Sequence, residues 1–293
     1  MIEPDDRSRF RTPSDEVEGL LQKALVHAED GEWDRMAEGL RQTLEDHPGD
    51  PYVLCWLGMA ERELGMEGIA YERFKRALEA EPEDPVLLAT AGNAVAAFDD
   101  PAAEAALRTA AMIAPQLPQA RWMYGAYLAR EGMVEKALDE LRAASELDPE
   151  DAVIRYEYGV AKALGDDLEG AVFLFAHAAE NRPGDGWILL MLGLANLLLG
   201  ELDDAIGPLE EGARLRPEDV EAQLLSALAF AATGWDERSL EMVERARFLA
   251  EGADVGLIGE AEARMEDGAE AARRFLDTTI APSSFRERLM QRP

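Results

Sequence analysis

Cys55 and three histidines are the residues of this chain from which thiol or imidazole-metal chemistry would be built. A thiol nucleophile needs a base beside it to take its proton. His27, His47 and His177 read as a helix interface, a turn between repeats and a second helix, and none is placed to serve Cys55. No two histidines share metal-ligand spacing, and no glycine loop runs into Lys-Ser or Lys-Thr to cradle a phosphate. Carboxylates abound, with 60 Asp and Glu in 293 residues. Pairs such as Glu201 and Asp204 nevertheless belong to ordinary acidic helix faces and carry no acid–base signature. Asp99-Asp100 falls in a shortened turn, where helix capping is the expected role. The reading is a chain with no catalytic residue, no metal and no cofactor.

Composition narrows the partners. A net charge of −31 disfavours nucleic acid and anionic membrane surfaces. The lone cysteine forms no internal disulfide, and Met1 to Pro13 lacks the apolar run of an export signal, so a cytoplasmic protein is expected. The longest greasy stretch, Trp187 to Leu199, is too short to span a bilayer and is broken by Gly193 and Asn196.

What the sequence does carry is a ruler. Small residues recur at Ala24, Gly58, Gly92, Gly125, Gly159, Gly193 and Ala227, in steps of 34 residues with a single step of 33. A second row (Met36, Ala70, Ala103, Ala137, Ala171, Ala205, Ser239) and a third (Pro48, Pro82, Pro115, Pro149, Pro183, Pro217) keep the same register. The missing residue lies in the turn Phe98-Asp99-Asp100-Pro101. Each period reads as two helices. Val53, Leu54, Leu57 and Ala60 keep helical rhythm up to Gly65, and Ile69, Ala70, Phe74, Ala77 and Leu78 repeat it up to Pro82. Asp84 then stands ready to cap the next helix. Glycine or alanine in the first row is expected to let the helices of a pair approach, with Phe74, Leu141, Phe175 and Leu209 filling the space between pairs.

Leu54-x2-Leu57-Gly58 with Ala70-x3-Phe74 and Pro82 resembles the tetratricopeptide repeat. The resemblance covers seven repeats, 17–50, 51–84, 85–117, 118–151, 152–185, 186–219 and 220–253. Residues 1–16 form a polar extension, and 254–293 a degenerate capping repeat with a basic tail. The family's tryptophan row holds Leu20, Leu54, Leu88, Arg121, Arg155, Leu189 and Gln223 here, and the final repeats lose their markers, as ends without a neighbour do. The resemblance implies an all-α fold: a right-handed α-solenoid superhelix of antiparallel helix pairs with a concave groove. It also implies that the groove is lined by variable rows of each first helix.

Those rows are apolar. They place Tyr52, Cys55, Trp56, Met59, Trp122, Met123, Tyr156, Val160, Trp187, Leu190, Met191 and Leu194 along the groove. Aromatic anchors and adaptable methionines are what a surface uses to hold an extended or helical peptide. The alternative is that neighbouring first helices simply pack these side chains against one another. The family's carboxylate clamp is rejected, because these rows hold no Lys or Arg. A peptide-sensing regulator would carry a DNA-binding domain ahead of its repeats, for which about sixteen residues leave no room.

A second occupant is the protein itself. Residues 271–293 carry a net +3 and the body 14–270 a net −34, so Phe285, Leu289 and Met290 can bring a basic tail onto an acidic body, its own or a neighbour's. The plainer expectation is a solvated helix that caps the last pair. The acidity itself reads as solvated surface, as a field for basic peptides, or as a mark of habitat or genome, given four Lys against 25 Arg. The functional expectation is a non-catalytic scaffold or adaptor for a peptide or helix of another protein. The alternative is an accessory subunit or chaperone that positions a substrate for a separately encoded enzyme or assembly machine.

Overall fold

The computed structural model describes residues 12–291, and all regular structure among them is helical. The polar extension up to residue 11 and the last two residues, including Arg292 of the basic tail, lie outside the described residues. The described residues form two compact units, 12–128 and 129–291.

The first unit holds α1 (Asp15–Glu29), α2 (Trp33–Asp46), α3 (Pro51–Glu63), α4 (Glu67–Glu79), α5 (Pro85–Ala96), α6 (Ala102–Ile113) and α7 (Pro118–Arg130) as far as Leu128. Proline and aspartate write the helix starts. The Asp50 carboxylate accepts from the Tyr52 and Val53 amides at 2.9 and 3.2 Å, and Asp84 accepts from Val86 and Leu87 at 2.8 and 3.0 Å. Pro51 and Pro85 follow at the first helical position, where a missing N–H costs no bond. Asp100, in the shortened turn, accepts from the Ala102 amide at 2.8 Å and from the Tyr71 hydroxyl at 2.8 Å, the capping role expected of it.

Within a pair the glycine row does the work assigned to it, but its partner differs from expectation. A Cβ on Gly58 would meet the Phe74 ring at 3.1 Å, and one on Gly159 would meet Phe175 at 2.6 Å. One on Gly193 would meet Leu209, also at 2.6 Å. Phe74, Phe175 and Leu209 therefore close the inside of their own pairs rather than the space between pairs. The reason is geometric: only a missing side chain leaves room for a ring at the crossing of two adjacent helices.

The second unit holds α8 (Val134–Leu147), α9 (Ala152–Leu164), α10 (Leu168–Asn181), α11 (Gly186–Leu199), α12 (Leu202–Leu215), α13 (Val220–Ala232), α14 (Asp236–Leu249) and α15 (Ala253–Glu266). Here too helix pairs pack consecutively. Then the pattern stops. From Ala269 the chain runs as α16 (Ala269–Phe275), a π-helical turn (Leu276–Ile280) and α17 (Ala281–Met290) without leaving helical conformation. α16 packs on α13, and α17 packs on α11 and α9. Phe285 and Leu289 are buried, so the tail is not a solvated cap. Phe285 and Leu289, four residues apart on one side of this helix, join the core of the second unit.

Candidate functional site

In the first unit the first helices enclose a recess of about 370 Å³. α1 contributes Leu21 and Leu25, α3 contributes Tyr52, Cys55, Trp56 and Met59, and α5 contributes Val86 and Leu87. Tyr52, Trp56 and Met59 follow one another at intervals of one helical turn, which puts them on one face of α3. Trp56 and Met59 are half-buried, while Tyr52 and Cys55 form the floor. The rim is polar: Glu18, Gln22, Asp84, Thr90 and Gln119. The Tyr52 hydroxyl donates to the Asp84 carboxylate at 3.3 Å, and burial followed by that carboxylate pushes the phenol well up. Burial, followed by the charge of Asp84, pushes the Cys55 thiol up to about 12. A thiol held so far above neutrality supplies no thiolate, so Cys55 acts as a small apolar side chain.

Trp122 and Met123 sit half-buried on α7. Met123 packs against a small cluster of Leu88, Ala89, Ala106, Ala110 and Ala120.

In the second unit the same rows are closed off: α17 packs on α11 and α9, and Leu190 packs against Gly212 of α12. Val160, Leu190, Met191 and Leu194 are fully buried and share one core with Phe285 and Leu289. They therefore line no open wall; the apolar face they form is already covered. Tyr156 is buried as well, its ring 5.6 Å from Phe175, and it accepts a hydrogen bond from the Trp187 indole at 2.7 Å. Trp187 is half-buried and lies beneath two guanidiniums, Arg288 at 4.9 Å and Arg216 at 5.4 Å from the ring. Arg288 is the anchor of the tail. Its guanidinium donates to both Asp219 oxygens at 3.0 and 3.1 Å and to Glu221 at 2.9 Å. Burial alone would raise the Asp219 carboxyl, but Arg288 overrides it and holds the group below its ordinary value. One turn further on, at the C-cap of α17, Arg130 donates to the Gln291 carbonyl at 2.8 Å while paired with Glu157 at 2.6 Å in full burial.

These ion pairs escaped the sequence reading. Glu157 and Glu221 occupy the groove rows and Arg288 the tail, but nothing in linear spacing says that a tail arginine meets an acid 67 positions earlier. Among the described residues no cluster of His, Cys, Asp and Glu is arranged to hold a metal, and no helix is long and apolar enough to cross a membrane.

No family model matches the chain, and no curated protein is significantly similar to it in sequence. Solved structures do resemble it. A chain of the APC/C hetero-tetramer Cut9–Hcn1 aligns with a TM-score of 0.67 at 18% identity, over 80% of this chain and 47% of its own length. This chain thus spans about half of that protein. PilW, a widely conserved type IV pilus biogenesis factor, aligns at 0.59 and 18% identity over 70% of this chain and 96% of its own. A tetratricopeptide repeat protein from Parabacteroides merdae aligns at 0.58 and 14% identity, over 87% of this chain and 98% of its own. The chain has the tetratricopeptide-repeat fold: all-α, built from consecutively packed helix pairs.

Proposed function

We propose that this protein is a non-catalytic interaction scaffold that binds a peptide or helix of another protein along the apolar rows of its first helices. The observation that carries the reading is the recess of the first unit, a hollow with Trp56 and Met59 half-buried over a floor of Tyr52 and Cys55. Apolar surface of that kind, ringed by polar groups, is the form taken by sites that accept a large side chain from a partner. Trp122 and Met123 extend the reading along α7. Tyr156, Val160, Trp187, Leu190, Met191 and Leu194 are the corresponding rows of the second unit. A cytoplasmic adaptor is the setting that the lone buried thiol and the acidic composition fit.

The test is selection from a displayed random-peptide library against the full chain and against Met59→Glu. Met59 is half-buried at the mouth, so the variant is expected to keep its melting temperature within a few degrees. Peptides rich in large apolar residues should enrich on the native chain and lose at least tenfold in affinity on the variant. Equal binding to both, or no enrichment, overturns the reading.

A further inference from the structure

The tail shows what the second unit's first-helix face accepts. α17 enters that face through three side chains within five residues: Phe285 and Leu289, both buried, and Arg288, 4% exposed. Arg288 is held from three directions, by Asp219, by Glu221 and by the face of Trp187. The cap of the same helix, one turn beyond Arg288, is held differently. Arg130 takes the Gln291 backbone carbonyl, a group that every helix presents at its C-terminus. One contact reads side chains, the other reads only that a helix ends there. Together they are the fittings of a helix-binding site. Charge agrees: with α17 lifted away, Asp219 and Glu221 would face Arg216 as their remaining close cation, a surplus of one negative charge. The π-helical turn at Leu276–Ile280 interrupts the α-helical run just before α17.

We infer that the second unit carries a docking site for a basic amphipathic helix of another polypeptide, and that α17 is a built-in competitor occupying it. The helix that displaces α17 carries an aromatic residue, an arginine three positions on and a leucine directly after it. The acids at Asp219 and Glu221 select the arginine, and the apolar face selects its neighbours. This rests on the reading of the first-helix rows as a binding wall, but it concerns a face separate from the first unit's recess. Its failure leaves the library selection on Met59→Glu unaffected.

The test uses a fluorescein-labelled peptide of residues 281–291 added to the full chain and to the full chain carrying Phe285→Asp and Arg288→Glu, which frees the tail and leaves the face intact. The peptide should bind the doubly substituted chain at least tenfold more tightly than the native one, and a peptide with Arg288→Glu should not bind. Equal binding to both chains, or none to a variant with native circular dichroism, overturns the inference. So does a native chain that is dimeric through exchanged tails, since the face would then serve self-assembly. Hydrogen exchange on the unsubstituted chain decides the matter even if the variant fails to fold. Amides of α17 should exchange at least tenfold faster than those of α11. Exchange of both helices only together would mean that α17 is part of the permanent core.

Discussion

The two units use one repeat and end differently. In the first, the aromatic and methionine side chains of α3 surround an open recess. In the second, the equivalent rows of α9 and α11 are sealed by a helix from the chain's own end. The repeat is the same, with the same aspartate caps and the same glycine at the pair crossing. Among the described residues, what differs is that a further helix packs on the first helices of the second unit. A row of apolar residues on a first helix is therefore neither core nor groove by itself. Its state is set by what else the chain brings to it, and the distinction is energetic: a covered face contributes to folding, an open one is held in reserve for binding.

That contrast is measurable, and its largest consequence lies at Glu157. Glu157→Ala would break the buried Arg130–Glu157 pair and loosen the hold of Arg130 on the Gln291 carbonyl, a loss of about 3–5 kcal/mol for a broken buried pair. Tyr156→Ala removes a buried ring and the acceptor of the Trp187 indole, and should cost about 3–5 kcal/mol. Trp56→Ala, over the open recess, should cost about 1–2 kcal/mol, because that side chain is only partly buried. Urea midpoints for the three variants rank the faces. A Trp56→Ala cost as large as that of Tyr156→Ala would erase the difference between the units.

A smaller effect is expected from acid. Asp219 faces Arg288 and Arg216, with Glu221 alongside, and its carboxyl is held below the ordinary carboxylate value of roughly 3.9. A depressed native pKa stabilises the docked tail fully above the unfolded value, and that contribution disappears as pH falls through the lower one. Exchange protection of α17 should be flat from about pH 7 to pH 5 and fall only in stronger acid. In Asp219→Asn that acid-dependent part should be missing. A tail that loosens near neutral pH would show that some other group holds it.

Much of this was legible in the residues. The 34-residue ruler placed the glycines at the helix crossings, and the Pro-x-Asp punctuation placed the caps, because both are local: a turn and its neighbours decide them. The apolar rows located the faces, and the basic charge of 271–293 raised the idea of a tail that docks on its own body. What linear order hid was destination. Val160, Leu190, Met191 and Leu194 carry the same periodicity as Tyr52, Trp56 and Met59, and periodicity reports that a face is apolar, not that a distant helix returns to cover it. Phe74 and Phe175 lie inside their pairs and not in the gaps between pairs for a related reason: their place beside Gly58 and Gly159 depends on how close two helices come, which spacing alone does not state.

The smallest expected effect is the most local, and it probes the open side of the comparison. Cys55 is 4% exposed on the floor of the recess, with its thiol pushed up to about 12 by burial and by Asp84. A thiol-specific reagent at mildly alkaline pH should therefore label it slowly, at a rate set by local opening of α3 rather than by thiolate content, since the thiolate fraction is then on the order of one part in ten thousand. The Met59→Glu variant should react a fewfold faster, because a charged side chain at the mouth hydrates the floor beneath it. A saturating library-derived peptide seated in the recess should slow the reaction by the fraction of protein it occupies, while a substitution such as Arg288→Glu in the second unit should leave the rate as it was. Labelling that instead follows the tail variant and ignores the recess variant would mean that the two faces open together, and the two units would then have to be treated as one cooperative body.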